Sequence, residues 1–489
     1  MTRFATVTVT LTACGLFSAS TIAADWNQWR GPNRDGVAAD GPALRTSLPA
    51  DGLRPLWISK ENISSARDGG WASPVVSAGR VYIFSHRRIK LGEGELPQKK
   101  FPYLPPENRV GMTPAEYEEY ERNRREEDYQ RAKQYKFDEV VYCLDADSGE
   151  TIWKSECASV YTRWPQSGSP AVINGRIYVL GAARNARCLD VRTGGDLWVT
   201  KLPGEFKDEY LQSSIAVVDG VAVVMCGWLF GLDAESGKII WESESKSQKQ
   251  MHTSPVVWRS DSGPLVIANV DGGNTVCVEP HTGRERWRVR THAGHSTPVV
   301  VGERLLTYGS SRKYGLRCYA MTPDGVEELW VYQKSADSGS SPVVVDGHVY
   351  VQGERRLACV SLETGKAEWM AMLDLAKPRY ASLAAADGKV FYAWEGLLCF
   401  AATSKSFQPL LNAKFNEACL MAEEKAFRRI LKIDEIESSP DGLAKAERVW
   451  QNAVGRHGPL RCASPAIADG RIFLRMKNSV ACYDLRESP

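Results

Sequence analysis

The 489-residue chain lacks a charge imbalance: 61 Lys and Arg stand against 59 Asp and Glu, a formal net charge of +2. A protein that holds nucleic acid needs a broad basic surface, and nothing in this near-neutral composition suggests one. It also lacks any C-x-x-C or C-x-x-C-H spacing, so neither a zinc ribbon nor a covalently attached haem is expected. No two cysteines are adjacent anywhere. Beyond the first two dozen residues no apolar run is long enough to cross a bilayer.

Those first residues read as an export signal: Arg3, an apolar run over 4–17, then small residues ending Ile22-Ala23-Ala24 before Asp25. Within them Leu11-Thr12-Ala13-Cys14 has the form of a bacterial lipoprotein box, a second reading that would anchor a lipid on Cys14. Both readings place the mature chain outside the cytoplasm, in the periplasm or cell envelope.

What the chain has in abundance is one repeated frame. C-L-D-A-D-S-G-E-T-I-W, opening on Cys143 and closing on Trp153, returns with identical spacing at Cys188 to Trp198, Gly231 to Trp241, Cys277 to Trp287 and Cys359 to Trp369. A sixth copy, Cys318 to Trp330, is longer by two residues. A seventh opens on Cys399 without reaching a Trp, and an eighth opens on Cys482 close to the last residue. The frame predicts strand, tight turn, strand: Asp and Ser or Thr bond their own backbone, Gly takes the positive φ, and the outgoing strand ends on a Trp that docks a neighbouring repeat. Seven cysteines thereby become small buried core residues. Setting those and Cys14 aside leaves Cys157, Cys226, Cys419 and Cys462, whose pairing stays open.

A second marker counts the units. A Ser-Pro-like pair followed by Gly and an alternating strand begins at Ser73, Ser169, Ser214, Ser254, Thr297, Ser341, Ser382 and Ser464. The five regular intervals match the roughly 40–50 residues of a four-stranded propeller blade. An isolated outgoing strand over 53–59 carries Trp57 but no first half, and the copy at Cys482 supplies it. The expected fold is therefore all-β, a single eight-bladed propeller over 25–489 whose N-terminal and C-terminal strands share one sheet, leaving no free edge at the join. The lead W-N-Q-W-R-G-P-N-R-D-G, from Trp26, should be ordered only by lying on something.

Two long intervals mark helical insertions. Over about 90–136, Thr113, Pro114 and Glu116 form a capping box ahead of a charged surface helix, with Tyr117, Tyr120 and Tyr129 as its packing face. Over about 404–458, helical periodicity is expected at 416–435 and 441–454, burying Phe427, Ile430, Leu431 and Trp450.

The Trp-terminated frame and the Ser-Pro-Val-Val strand starts resemble the pyrroloquinoline-quinone-like (PQQ-like) β-propeller repeat family over essentially the whole mature chain. The family contains non-catalytic BamB-like envelope scaffolds with protein partners, and quinoprotein dehydrogenases that oxidise alcohols or sugars with PQQ and Ca²⁺. In the dehydrogenases, the resemblance implies, the quinone lies between a Trp and a vicinal disulfide, which this chain cannot form. The oxygen-rich stretch Asn269-Val270-Asp271-Gly272-Gly273-Asn274 reads as a hairpin turn, so no metal site is expected. The expectation is a scaffold without a cofactor, with a PQQ-dependent oxidoreductase as the alternative.

In such a ring the residues three before the Pro-equivalent position enter the innermost strands and encircle one mouth of the axial channel. They are Trp71, Ser167, Gln212, His252, His295, Gly339, Tyr380 and Cys462, with Arg163, Arg379 and Arg461 near them. Two His on adjacent blades form the most specific polar pair, although two imidazoles alone make an incomplete metal site. Aromatic and Arg neighbours suit a planar or anionic ligand.

Overall fold

In the computed structural model, residues 25–38, 40–205, 212–246, 252–270, 272–374 and 378–487 are described; residues 1–24, where the export signal and the lipoprotein box at Cys14 are expected, and Asp271 lie outside them. The described strands form eight antiparallel sheets around an axis, seven of four strands and one of five. Blade 1 comprises Val75–Ser77, Arg80–Lys90, Tyr135–Asp145 and Thr151–Ala158 from the axis outward, and the next six blades follow in chain order. The hairpin between Gly263–Val270 and Asn274–Val278 turns at the Asn- and Gly-rich stretch, as the turn reading expects.

Each frame Trp faces a small residue across its own hairpin: Cys143 opposite Trp153, Cys188 opposite Trp198, Gly231 opposite Trp241. The indole then reaches into the next blade. Trp57, Trp153, Trp198, Trp241, Trp287, Trp330 and Trp369 each donate Nε1–H to a carbonyl of the following blade's turn at 2.7–3.3 Å. Glycine is required beneath the ring on two counts. At Gly194 φ is +73°, and a Cβ there would lie 2.5 Å from the Trp153 ring. The eleven described cysteines are all unpaired, and burial pushes the thiols opposite the Trp residues up, Cys143 to about 11 and Cys482 to about 12. They serve as packing, not as crosslinks or nucleophiles.

The eighth sheet takes Ala466–Ala468, Arg471–Met476 and Ser479–Asp484 from the end of the chain and Trp57–Ile58 from its beginning, with Trp57 opposite Cys482. Both termini thus lie in one sheet. Near the axis, the Ser or Thr that opens a blade links it to the next at seven of the eight junctions, all but that between Ser382 and Ser464. The Ser73 N–H donates to Ser169 Oγ, Ser169 N–H to Ser214 Oγ, and the pattern continues to Ser464 N–H on Ser73 Oγ, seven bonds of 2.8–3.2 Å. A hydroxyl accepts at a place where buried N–H groups would otherwise be orphaned.

The lead segment closes one end of the channel. Trp26 bridges Val76, the Asn27 carbonyl accepts from Val172 N–H, and Ala38 N–H donates to Ala385, so the segment crosses several inner strands. Arg34, 2% exposed, donates to the carbonyls of Ser214, Ile215 and Pro255, and Arg30 donates to that of Pro342. Burial without a carboxylate partner pulls the Arg34 guanidinium down to about 9.

The first insertion, between the second and third strands of blade 1, carries helix α1 (Pro114–Ala132), which opens on the expected Thr113–Glu116 capping box. Tyr120 packs edge-on against Phe101 and Tyr129 against Tyr161. The second insertion is corrected at its start. Pro409–Phe415 is the fourth strand of blade 7, with Leu411 opposite Cys399 in place of a Trp, so the added segment begins only after Phe415. It supplies a fifth strand, Met421–Glu423, and helices α2 (Glu424–Ile430), α3 (Ile433–Glu437) and α4 (Gly442–Trp450). Phe427 is buried, but Ile430 is 51% exposed: α2 spans only two turns and ends at Ile430, so its apolar face is Ala426 and Phe427 alone.

Candidate functional site

The eight residues at the axial position surround one cavity of about 630 Å³. Its depth is ringed by the hydroxyls of the Ser belt, and Trp29 of the lead segment lies at its base. The wall is aromatic toward the mouth, where Trp71 and Trp164 meet at 6.1 Å and 51°. Gly339 is part of the ring because the Tyr380 side chain lies against it; a Cβ there would stand 2.1 Å from that ring. Asp337, buried beside this turn, turns Oδ1 to the N–H groups of Gly339, Ser340 and Tyr380.

His252 and His295 meet edge to face at 4.6 Å, with Tyr380 against both. Burial together with His295 draws the His252 imidazole down to about 3, and burial lowers His295 as well. Both rings are neutral at neutral pH, and His295 Nδ1 is buried without a hydrogen-bond partner. The pair therefore offers neutral donors and acceptors, not positive charge.

Above the mouth α1 roofs a second cavity of about 910 Å³, which shares Trp164 and Tyr380 with the first. Arg163 and Arg379 line it, and Arg67 stacks its guanidinium 3.9 Å over the Trp164 ring. Arg461 lines neither cavity: it pairs with Glu395 and lies over Trp394. Sequence reading missed Trp29, Trp164 and the Arg face of α1. The signal available was the spacing of Glu121, Arg124, Arg125, Asp128 and Arg131, which puts them on one helical face.

Beside the vestibule, Ser159, His86 and Glu139 have the composition of a hydrolytic triad. Ser159 Oγ lies 3.2 Å from His86 Nε2 and donates to Glu139 at 2.9 Å. The polarity is wrong for catalysis. His86 Nδ1 accepts from Gln166 N–H, so Nε2 carries the proton and faces the Val160 carbonyl at 3.1 Å; it cannot take one from the serine.

Nor does the axial cavity fit a Ca²⁺-bound quinone. Calcium requires several hard oxygen ligands, carboxylates foremost, and no Asp or Glu lines the cavity among the described residues. No group of three or more His, Cys, Asp or Glu among the described residues could hold a metal ion.

A family model described as outer membrane protein assembly factor BamB matches residues 137–255 and 225–426. The outer membrane protein assembly factor BamB of Nitrosomonas eutropha is 26% identical over 230 residues, 43% of this chain and 51% of that protein. Lupanine 17-hydroxylase (cytochrome c) of a Pseudomonas species is 25% identical over 190 residues, 35% and 27% of the two chains. The chain thus spans about half the length of the first relative and about a quarter of the second. Among solved structures, a europium-containing methanol dehydrogenase superposes with a TM-score of 0.55 at 12% identity, over 94% of this chain and 98% of the other, a likeness of fold alone.

Proposed function

The chain belongs to the PQQ-like β-propeller repeat family, and on that premise we propose that it is an exported, non-catalytic binding scaffold of the cell envelope, engaging envelope proteins as a BamB-like assembly factor. The observation that carries the reading is a belt of aliphatic side chains on the outer strands of four consecutive blades. Leu56, Ile152, Leu197 and Ile240, each immediately before the docking Trp of blades 8, 1, 2 and 3, are 44–51% exposed. Each outermost strand has a sheet neighbour on one side only. An open strand edge beside apolar side chains accepts an added strand from a partner: backbone hydrogen bonds give affinity, and the side chains select. The occupant is an extended segment of an outer-membrane protein, in keeping with the family description.

Photo-crosslinking residues placed at Leu197 and Ile240 in living cells should yield an adduct with an outer-membrane protein, and Leu197→Asp should abolish the adduct at Ile240. The same residue at Leu443 of α4, 73% exposed, should give none. Absence of adducts at both belt positions, or equal yield from Leu443, would overturn the reading.

The alternative, a PQQ-dependent oxidoreductase acting on alcohols or sugars, draws support from the fold shared with methanol dehydrogenase and from the aromatic walls of the axial cavity. The absence of a carboxylate from the described lining opposes it.

A further inference from the structure

The chain as a whole is nearly neutral, yet the lining of the vestibule beneath α1 holds eight Arg and Lys side chains against two carboxylates, Glu121 and Asp128. Positive charge is therefore gathered at one place and balanced elsewhere. Glu121 and Asp128 are occupied by Arg124 and Lys99. Among the described residues Arg67, Arg125, Arg131 and Arg379 make no ion pair. The cations oppose one another: burial and then the nearby Arg88 lower the Arg67 guanidinium. Crowding like charges in a concave, low-dielectric site costs stability and raises the local concentration of anions.

The vestibule opens at Trp164 and Tyr380 onto the axial cavity, whose walls are indole, phenol, neutral imidazole and serine hydroxyl. Charge thus lies outside, and flat apolar faces with neutral hydrogen-bonding groups lie inside. We propose that the vestibule and channel mouth form a binding site for a small polyanion that carries a ring, its charged groups held by the arginines of α1, Arg67 and Arg379, and its ring seated on the Trp71–Trp164 corner. Guanidinium forks match carboxylate, phosphate and sulfate oxygens in bidentate geometry, and indole faces take planar bases or the C–H faces of sugars. A phosphorylated nucleoside and a sulfated sugar share this chemistry.

The test is calorimetric titration of the full-length protein at low ionic strength with three probes: tripolyphosphate, which has charge without a ring; ATP; and a trisulfated heparin disaccharide. At least one ring-bearing probe should bind about tenfold more tightly than tripolyphosphate, with affinity falling as salt is added. Which of the two binds identifies the source of the ring. The triple variant R67Q/R125Q/R379Q removes three guanidinium groups that make no ion pair among the described residues, so its thermal unfolding should match the parent. Its affinity should drop by at least about tenfold, while R192Q, on an exposed turn, should bind as the parent does. Failure of every probe to bind below about 1 mM, equal affinity for tripolyphosphate, or unchanged affinity in the triple variant would overturn the proposal.

Discussion

Trp57 stands opposite Cys482, and its indole N–H reaches the Ala146 carbonyl of blade 1 at 3.0 Å. One residue therefore completes the last sheet and docks it on the first.

Removing that indole should destabilise the ring out of proportion to an interior blade contact. Trp57 is 7% exposed, and Trp57→Ala should cost about 3–5 kcal/mol. Urea unfolding measures it. A cost below about 1 kcal/mol would mean that the ring does not depend on this closure.

The glycines of the repeat should separate into two classes. A Cβ at Gly149 would lie 2.4 Å from the Trp57 ring, whereas one at Gly79 would meet nothing within 4 Å; their φ values are both +72°. Gly79→Ala should cost only the left-handed backbone penalty, about 1–2 kcal/mol. Gly149→Ala adds displacement of the indole and should cost about 2 kcal/mol more. Equal losses in urea unfolding would show that backbone conformation alone selects glycine in this frame.

Acid should weaken the fold through its buried imidazoles. Burial holds His86 near 4 and, with His295, holds His252 near 3, both below the ordinary value of 6.5. The unfolded chain takes up these protons first. Stability is thus fully present above pH 6.5 and declines as pH falls toward the folded values, by up to about 1.4 kcal/mol per pH unit for each ring. The urea midpoint should be lower at pH 5 than at pH 7, and H86Q/H252Q should narrow the gap. A gap unchanged in the double variant would contradict the assignment.

The eight-fold count, the shared terminal sheet and the axial ring were legible because each rests on a repeated local pattern: turn chemistry, a period-2 strand, a Trp at fixed spacing. Leu411 was not, since blade 7 replaces its Trp with a residue that carries no signal of its own. Ile430 was misplaced because α2 is too short for periodicity to select a face. The vestibule was least legible. The cations of α1 look solvated in sequence, and only the path of the insertion across the channel mouth turns one helical face into a roof over Trp164. The buried Arg30 and Arg34 lay in a segment whose Gly and Pro residues signal turns but not what those turns rest against.

The central claim, that this propeller binds without catalysing oxidation, is tested most directly by adding PQQ and Ca²⁺ to the purified protein and following quinone binding and dye-linked oxidation of alcohols and sugars. The account predicts no Ca²⁺-dependent quinone binding and no turnover, because no described carboxylate lines the axial cavity to hold the cation. Quinone-dependent turnover would contradict it.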